Sequence, residues 1–273
     1  MALREDIGEG DFSTRWSVPE DNRSVALIIA RTGGVIAGLP VVRHVLDMFD
    51  PSPRLVSVLP EGQTIAAGQV VAEIEGATWS LLSLERTVLN FLQRLSGIAT
   101  LAHRFAASVE GTGVRILDTR KTTPGFRELE KYAVRVGGAF NHRLGLYDYI
   151  LLKENHLEAA GGIEPALRAV ARQNKRGLPV EVETRTIDEV REAVSLGVSR
   201  IMLDNMTVEQ MSQAVRIIRE QGGENRPEIE ASGDISLRTV REVAETGVDF
   251  ISVGALTHSA GILNLTMIIE AVE

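Results

Sequence analysis

The second half of the chain alternates short β-branched runs with amphipathic stretches. Runs that predict strands lie at 114–118, 149–152, 179–183, 200–203, 228–231 and 250–253. Between them, apolar residues recur every three or four positions, for example over 187–195 and 208–221, which predicts helices. Strands that alternate with helices in this way form parallel βαβ units, which close or nearly close into a barrel. Six strands predict a barrel with fewer than eight strands, or one with an additional strand that the pattern hides.

The first 110 residues carry a different pattern. Short alternating runs at 25–30 and 70–74, punctuated by Gly and Pro, predict small antiparallel strands joined by turns. Apolar residues spaced three and four apart over 88–99 then predict a helix with an interruption at Gly97. We therefore predict an N-terminal domain at 1–110 and a barrel domain at 111–273, with a C-terminal helix that packs back on the N-terminal domain.

Composition narrows the class of protein. The chain has 273 residues, 44% hydrophobic and 24% charged, which excludes collagen-like and intrinsically disordered classes. A net charge of −8 argues against coating nucleic acid or an anionic membrane, and the lack of cysteine excludes disulfide scaffolds and thiolate metal sites. No apolar run approaches the ~20 residues that span a bilayer, and the N-terminus is acidic where a signal peptide would be apolar. We therefore expect a soluble cytoplasmic protein.

Polar residues follow the predicted barrel strands, at the end where such barrels carry their chemistry. Between residues 115 and 153 there are eight Lys or Arg against four Asp or Glu. Four of these cations lie at strand ends or in loops, and we predict that they bind an anionic substrate. They are Arg120, Lys121, Arg143 and Lys153, and His142 lies beside Arg143. The cations on the intervening helix, Arg127, Lys131 and Arg135, are assigned to solvated helix faces.

Two acids and two turns follow the later strands. Glu183 and Asp204 end neighbouring strands, and such a pair suits Mg²⁺, which takes one or two carboxylates and completes its shell with water and phosphate. Either acid alone would also fit a helix cap or a salt bridge. The turns at 232–233 and 254–255 can offer backbone N–H groups to a phosphate. Glu181 shares a strand face with Glu183 but lies deeper, and it is assigned a structural role.

Several long segments resemble one known family. They are REDIGEGDFST near the N-terminus, residues 85–100, the run DTRKTTPGFRELEKYAVRVGGAFNHRLGLYD at 118–148, LLKENH, EVE, IMLDN, ASGD and residues 246–259. These segments closely resemble the quinolinate phosphoribosyltransferases, and together they span nearly the whole chain. A run as long and irregular as 118–148 is highly specific.

The resemblance implies an α/β fold, an incomplete (β/α) barrel preceded by an open-faced α/β sandwich domain. It implies transfer of the phosphoribosyl group of 5-phosphoribosyl 1-pyrophosphate to quinolinate with Mg²⁺, giving nicotinate mononucleotide, pyrophosphate and CO₂ in NAD biosynthesis. It also implies a homodimer, or a higher oligomer, in which the long helix bearing Arg86 completes the neighbour's active site.

Roles carried over by motif fall into two groups. The residues implied to hold quinolinate are Arg86, Arg120, His142, Arg143 and Lys153. The residues implied to meet the phosphoribosyl donor and its metal are Lys121, Glu183, Asp204, Ser232, Gly233, Asp234, Gly254, Ala255 and Leu256. Of these, Lys121, Glu183 and Asp204 are the implied catalytic groups, with the two acids as metal ligands.

The chain departs from the family pattern at three places. Glu154 stands where the family has Asp, and Thr184-Arg185 replaces an apolar or acidic continuation. Asp234 stands where Gly or Asn is commoner, and it would weaken donor binding if its side chain pointed inward.

Three other functions fit parts of the sequence. A related pyrophosphorylase associated with molybdenum transport would share the fold but lack some of the residues that bind the two carboxylates, and Arg120, His142 and Arg143 are all present here. A lipoyl- or biotinyl-type carrier module resembles residues 61–76, yet it needs a modifiable lysine and none precedes Lys121. A barrel aldolase with a Schiff base at Lys153 would leave Arg86, Arg143 and the two acids without a role.

Overall fold

The computed structural model describes residues 1–49 and 52–272. The chain forms two compact units. The sheet unit comprises Met1–His103, Tyr132–Gly138 and Ser259–Glu273, and the barrel unit comprises Arg104–Lys131 and Ala139–His258. The domain bounds 1–110 and 111–273 stay a prediction.

The elements follow one another in two stretches of different texture. The first stretch contains α1 (Ala2–Ile7), α2 (Phe12–Ser17), β1 (Arg23–Ala30), β2 (Gly34–Val35), α3 (Leu39–Phe49), β3 (Arg54–Val58), β4 (Thr64–Ile65), β5 (Val70–Ala77) and α4 (Thr78–Ser108). The second stretch contains β6 (Arg115–Leu117), α5 (Arg127–Val136), β7 (Ile150–Leu152), α6 (Glu154–Ala160), α7 (Ile163–Gln173), β8 (Val180–Thr184), α8 (Ile187–Ser195), β9 (Arg200–Asp204), α9 (Val208–Gly222), β10 (Glu228–Ser232), α10 (Val240–Glu245), β11 (Phe250–Ser252), α11 (Ala255–His258) and β12 (Leu265–Ala271).

The sheet unit is built on an antiparallel sheet of order β12-β1-β5-β3. Alternate residues of β1 are buried, because successive side chains of a strand point to opposite faces. The buried face packs with Val42 and Leu46 of α3 and Leu84 and Leu92 of α4 in one hydrophobic core.

The C-terminal segment is a strand, so the predicted C-terminal helix is wrong. Residues 265–271 pair antiparallel with β1, in a register that sets Leu265 opposite Ala30 and Ala271 opposite Ser24. Leu265 and Met267 are buried, whereas Thr266 between them is partly exposed, which is the period of two that a half-buried strand requires.

Helix α4 runs without interruption through Gly97, so the predicted break there is wrong. A Cβ atom at Gly97 would lie 1.9 Å from the carbonyl oxygen of Gly261. Glycine is therefore required at this position because another part of the backbone approaches the helix closely.

The barrel unit is a parallel sheet of order β6-β11-β10-β9-β8-β7. All six predicted strands are present, and the predicted helix at 187–195 has the observed bounds of α8. Among the described residues β6 and β7 are the two edge strands of this sheet, so the barrel is incomplete. The predicted fold class is confirmed.

The open edge of β6 is extended by a short segment after α5. Phe140 donates its N–H to the carbonyl of Ile116 at 2.8 Å and accepts from the N–H of Asp118 at 3.0 Å. This pairing brings residues 141–143 to the carboxyl end of β6.

No helix in the described part of the chain combines the length and the apolar character needed to cross a membrane.

Candidate active site

A cavity of about 430 Å³ opens at the carboxyl ends of the barrel strands. Residues two apart on a strand share a face, so the last inward position of each strand contributes to its wall. The predicted site residues that line it are Arg120, Lys121, His142, Arg143, Lys153, Asp204, Ser232, Gly233 and Asp234. Met202, Glu230 and Ser252 also line it, and no pattern in the sequence pointed to a role for them.

Five predicted residues are not among those that line this cavity. Glu183 lines a neighbouring cavity of about 370 Å³ together with Arg185. Leu256 is fully buried, and its N–H donates to the carbonyl of Val253. Ala255 begins the short helix α11 beside it.

Gly254 serves the cavity indirectly. A Cβ atom there would lie 2.9 Å from Cδ of Lys121 and 3.0 Å from Nε2 of His258. Glycine at 254 therefore leaves the space that the Lys121 side chain occupies.

Arg86 lies on α4 in the sheet unit. Its side chain is 60% exposed, and its Nη2 lies 3.9 Å from Oε1 of Glu85. Within the described part of the chain, this ion-pair contact is a long one, to a neighbouring acid on the same helix.

Two arginines face the cavity side by side. Nε of Arg120 is buried and has no hydrogen-bond partner among the described residues. Burial and the charge of Arg120 lower the pKa of Arg143, whose Nη1 donates to the carbonyl of Tyr149 at 3.3 Å. Buried donors without partners and like charges in proximity are both unfavourable, so this pair is suited to an anion. Two guanidinium forks match two carboxylates.

Two acids lie at the ends of β8 and β9. Nζ of Lys153 lies 3.2 Å from Oε2 of the buried Glu183. Burial and the charge of Glu183 raise the pKa of Asp204, whereas Asn205, Arg185 and Lys153 oppose that rise. Two carboxylates that repel one another in this way could hold a hard divalent cation, which would remove the repulsion.

Two of the departures from the family pattern contact each other. The guanidinium of Arg185 forms an ion pair with Glu154, and its Nε lies 3.7 Å from Oδ2 of Asp204. Arg185, for which the sequence offered no account, therefore connects the start of α6 to the acid at the end of β9.

The turn after β10 packs against Asn205. A Cβ atom at Gly233, where φ is 137°, would lie 2.6 Å from Oδ1 of Asn205, so the turn requires glycine. Asp234 is exposed and lines the cavity, which places an acid beside the predicted phosphate turn.

Protein groups contact both ring nitrogens of His142. Nδ1 accepts the N–H of Arg143 at 2.7 Å. Nε2 lies 3.1 Å from Oε2 of Glu181 and 3.4 Å from Oε2 of Glu230. A direct contact between His142 and quinolinate stays a prediction.

His142, Glu181 and Glu230 shift one another's pKa values. Burial opposes the charged ring, but hydrogen bonds to the two acids raise the pKa of His142 to about 9. Burial and the charge of Glu230 raise the pKa of Glu181 to about 7. The amide of Arg143 can donate only to an Nδ1 without hydrogen, so the neutral ring in this arrangement carries its hydrogen on Nε2, facing the two acids.

The same tautomer bears on metal binding. The three candidate ligand atoms lie within 4.8 Å of one another. Because Nδ1 of His142 accepts the Arg143 amide, Nε2 carries the hydrogen that a metal ligand would have to lose. We therefore interpret Glu181 and Glu230 as hydrogen-bond partners of His142, which agrees with the structural role that the sequence predicted for Glu181.

The assignment of Lys131 to a solvated helix face is wrong. Its side chain is 3% exposed and forms an ion pair with the fully buried Asp118. Burial raises the pKa of Asp118 and lowers that of Lys131, so each charge depends on the other. The signal was the spacing of α5, because Lys131 stands three residues before the buried Val134.

The two other cations of α5 differ from each other. Arg127 is half-buried and donates to Oγ1 of Thr122 at 2.9 Å and to the carbonyl of Leu144 at 3.2 Å, so its assignment to a solvated face is also wrong. Arg135 is exposed as predicted.

Known proteins match this chain over nearly its whole length. The family model for the N-terminal domain of quinolinate phosphoribosyl transferase matches residues 11–96, and that for the C-terminal domain matches residues 98–268. A probable nicotinate-nucleotide pyrophosphorylase [carboxylating] of Synechocystis is 44% identical over 97% of this chain and 89% of its own. A mitochondrial quinolinate phosphoribosyltransferase [decarboxylating] of Nicotiana tabacum is 39% identical over 99% of this chain and 80% of its own.

Solved structures agree. NadC from Streptococcus pyogenes superposes with a TM-score of 0.93 at 39% identity, covering 100% of this chain and 95% of its own. A nicotinate-nucleotide pyrophosphorylase from Francisella tularensis gives a TM-score of 0.92 at 37% identity, with coverages of 98% and 93%. The resemblance stated from the sequence is thereby confirmed, and the chain belongs to the quinolinate phosphoribosyltransferase family.

Proposed function

We propose that this chain transfers the phosphoribosyl group of 5-phosphoribosyl 1-pyrophosphate to quinolinate and releases CO₂, giving nicotinate mononucleotide and pyrophosphate for NAD biosynthesis. The observation that carries the proposal is the pair of arginines, Arg120 and Arg143, in a cavity that also holds Lys121, Lys153 and Asp204. The printed names of the family relatives point to the same reaction.

Quinolinate would bind through its two carboxylates. The guanidinium groups of Arg120 and Arg143 and the ammonium of Lys153 supply the positive charge, and the unpartnered Nε of Arg120 supplies a buried donor. Because the ring nitrogen of quinolinate is itself the nucleophile, the site needs to orient it rather than deprotonate it.

The phosphoribosyl donor would bind on the opposite side of the cavity. Glu183 and Asp204 would hold Mg²⁺, and their mutual repulsion supports that assignment. When bound, Mg²⁺ neutralises charge on the departing pyrophosphate. The ammonium of Lys121 and the backbone of the 232–234 and 254–256 turns would bind phosphate oxygens, although the side chain of Leu256 is turned into the core.

The reaction then proceeds in two stages. The ring nitrogen forms a bond to C1 of the ribose while the bond from C1 to the pyrophosphate oxygen breaks, and its electron pair leaves with pyrophosphate. The alkylated nitrogen is positively charged, so it stabilises the electron pair left on the adjacent carbon when the carboxylate departs as CO₂. A proton taken up at that carbon completes nicotinate mononucleotide. The cavity contributes positioning and charge stabilisation to both stages.

A homodimer or a higher oligomer, and a cytoplasmic location, belong to the same proposal. The exposure of Arg86 and its long contact of 3.9 Å to Glu85 support a role for this side chain in the active site of the partner subunit. The cytoplasmic location rests on the sequence features alone.

The alternative functions lack comparable support. A carrier module would need a lysine in the N-terminal domain, and the first lysine of the chain is Lys121. An aldolase using Lys153 would leave the paired arginines unexplained. The molybdenum-associated pyrophosphorylase shares the fold, and the presence of both Arg120 and Arg143 favours a dicarboxylate substrate over it.

Release of labelled CO₂ from carboxyl-labelled quinolinate tests the proposal. We expect release that requires both 5-phosphoribosyl 1-pyrophosphate and Mg²⁺, with equal amounts of CO₂ and pyrophosphate. Nicotinate in place of quinolinate is the matched control, because it lacks the carboxylate that leaves as CO₂, and its reaction is followed by release of pyrophosphate. Pyrophosphate release from nicotinate at the rate seen with quinolinate, or no CO₂ release from quinolinate, would overturn the proposal.

A further inference from the structure

The buried ion pair of Asp118 and Lys131 holds the backbone of His142 at both of its polar groups. Oδ1 of Asp118 accepts the N–H of His142 at 2.9 Å. Nζ of Lys131 donates to the carbonyl of His142 at 3.1 Å and also contacts Asp118. Oδ2 of Asp118 accepts from Nδ2 of Asn141 at 2.6 Å, which secures the preceding residue.

The next peptide unit is fixed at both of its ends. Its carbonyl belongs to His142 and is bound by Lys131, and its N–H belongs to Arg143 and is bound by Nδ1 of His142. Because a peptide unit is planar, holding its oxygen and its nitrogen sets the orientation of the whole plane. That plane determines the direction in which the side chain of Arg143 leaves the backbone.

Arg143 depends on this support more than an ordinary surface arginine does. Its side chain makes a long hydrogen bond of 3.3 Å to the carbonyl of Tyr149; the neighbouring charge of Arg120 repels it, whereas Glu181 and Asp148 attract it. On a flexible backbone, the guanidinium would be free to move away from Arg120 toward these acids. A fixed backbone keeps the two guanidinium groups together before an anion binds, which lowers the cost of binding it.

We propose that Lys131 is a positioning residue for the substrate dicarboxylate, acting with Asp118 through the His142–Arg143 peptide to hold the guanidinium of Arg143 in the cavity. The inference deepens the proposed function and rests on it for the identity of the dicarboxylate. A role in positioning also accounts for the burial of two charges, since a buried ion pair is often no more stabilising than apolar residues of the same size.

The test uses two variants and a matched control. Lys131→Met removes the charge and leaves Asp118 without its cation. Asp118→Asn/Lys131→Met removes both charges, so it avoids an unpaired buried carboxylate while it still lacks the bond to the carbonyl of His142. Arg135→Met removes the same charge from an exposed position of the same helix.

Steady-state kinetics separate positioning from folding. We expect both Lys131 variants to raise the KM for quinolinate by about ten-fold or more, because a displaced binding group loses its geometry. The KM for the phosphoribosyl donor should change by less than about two-fold, and Arg135→Met should leave both values unchanged. The double variant should recover thermal stability and keep the raised quinolinate KM. Equal effects on both substrates, or recovery of the quinolinate KM together with stability, would overturn the positioning role.

A structural readout keeps this inference separate from the proposed function. Amide hydrogen exchange of peptides that cover residues 139–146 should be faster in the double variant than in the wild type and in Arg135→Met. Failure of the wild-type chain to release CO₂ from quinolinate overturns the proposed function. Unchanged exchange at His142 and Arg143 in the double variant overturns the positioning role, whichever way the first assay turns out.

Discussion

At the scale of single residues, the charges of the cavity explain what kind of ligand it accepts. Arg120 and Arg143 repel each other on one wall, and Glu183 and Asp204 repel each other at the ends of β8 and β9. Each repulsion is relieved by a ligand of the opposite sign, an anion in the first case and a cation in the second. The combination fits a dicarboxylate beside a metal-bound phosphate ester.

Replacement of Arg143 tests the first of these pairs. A charge-assisted hydrogen bond contributes about 1.5–3 kcal/mol, so Arg143→Ala should raise the KM for quinolinate by roughly ten- to a hundred-fold. The KM for the phosphoribosyl donor should change little, as measured by varying each substrate at saturation of the other. Arg172→Ala, a charge loss at an exposed arginine, is the control. Equal increases in both KM values would contradict the assignment.

Replacement of Glu183 tests the second pair. Glu183→Gln keeps the shape of the side chain and removes one of two negative ligands, so the Mg²⁺ concentration for half-maximal activity should rise by about ten-fold or more. Calorimetric titration of Mg²⁺ with the phosphoribosyl donor should show the same loss of affinity without turnover. Glu220→Gln, at an exposed glutamate of α9, controls for the loss of one negative charge. An unchanged requirement for Mg²⁺ would remove Glu183 from the metal site.

At the scale of elements, the sequence pattern predicted those strands and helices whose signal lies within a few consecutive residues. The six barrel strands are short, β-branched and separated by helices, and each of these signals is contained in a few consecutive residues. The polar ends of the strands were visible for the same reason, which is why Arg120, Lys153 and Asp204 could be singled out. The strand at 265–271 was missed because a short apolar run fits a helix or a strand until its partner, β1, is known.

The errors at Lys131 and Gly97 have a non-local cause as well. Lys131 is buried because Asp118, thirteen residues earlier, supplies a counter-charge and His142 supplies a carbonyl. Gly97 is required because Gly261 approaches the helix from a distant part of the chain. The residues next to Gly97 give no sign of its contact. The spacing of α5 indicates that Lys131 is buried, but only the folded chain shows which groups pair with it.

The close approach at Gly97 gives a prediction about stability. In Gly97→Ala, the added Cβ would meet the carbonyl of Gly261 at 1.9 Å, so the backbone must shift. We expect the free energy of unfolding to fall by about 1–3 kcal/mol, despite the better helix propensity of Ala. Denaturant titration measures the change. Gly261→Ala is the control, because a Cβ at that position has no atom within 4 Å. Greater stability of Gly97→Ala than of the wild type would contradict the tight contact.

At the scale of the whole molecule, cations are gathered where the overall charge is negative. The chain carries a net charge of −8, yet four Lys or Arg residues line the cavity of the barrel unit. Such a local positive region in an acidic protein attracts small anionic substrates while the rest of the surface repels polyanions. Arg86, the one further arginine implied for quinolinate, lies on α4 in the sheet unit, and the family resemblance implies that it acts in the neighbouring subunit's site.

Subunit complementation tests that arrangement. Arg86→Ala and Lys121→Ala are each expected to be nearly inactive as homodimers, because every site lacks one group. In a heterodimer with shared sites, one site would lack both groups and the other would contain intact Arg86 and intact Lys121. Random mixing of equal amounts would put half of the chains into heterodimers. Each heterodimer has one intact site and one inactive site, so about a quarter of wild-type activity should return.

The experiment depends on proof that subunits exchange. Co-expression of differently tagged variants and purification through both tags isolates the heterodimer, whose activity should then approach half that of the wild type. Its Michaelis constant for quinolinate should equal the wild-type value, since the active half of the sites is complete. A purified heterodimer with no more activity than its parents would mean that each subunit supplies its own Arg86, and the implied sharing of sites would be wrong.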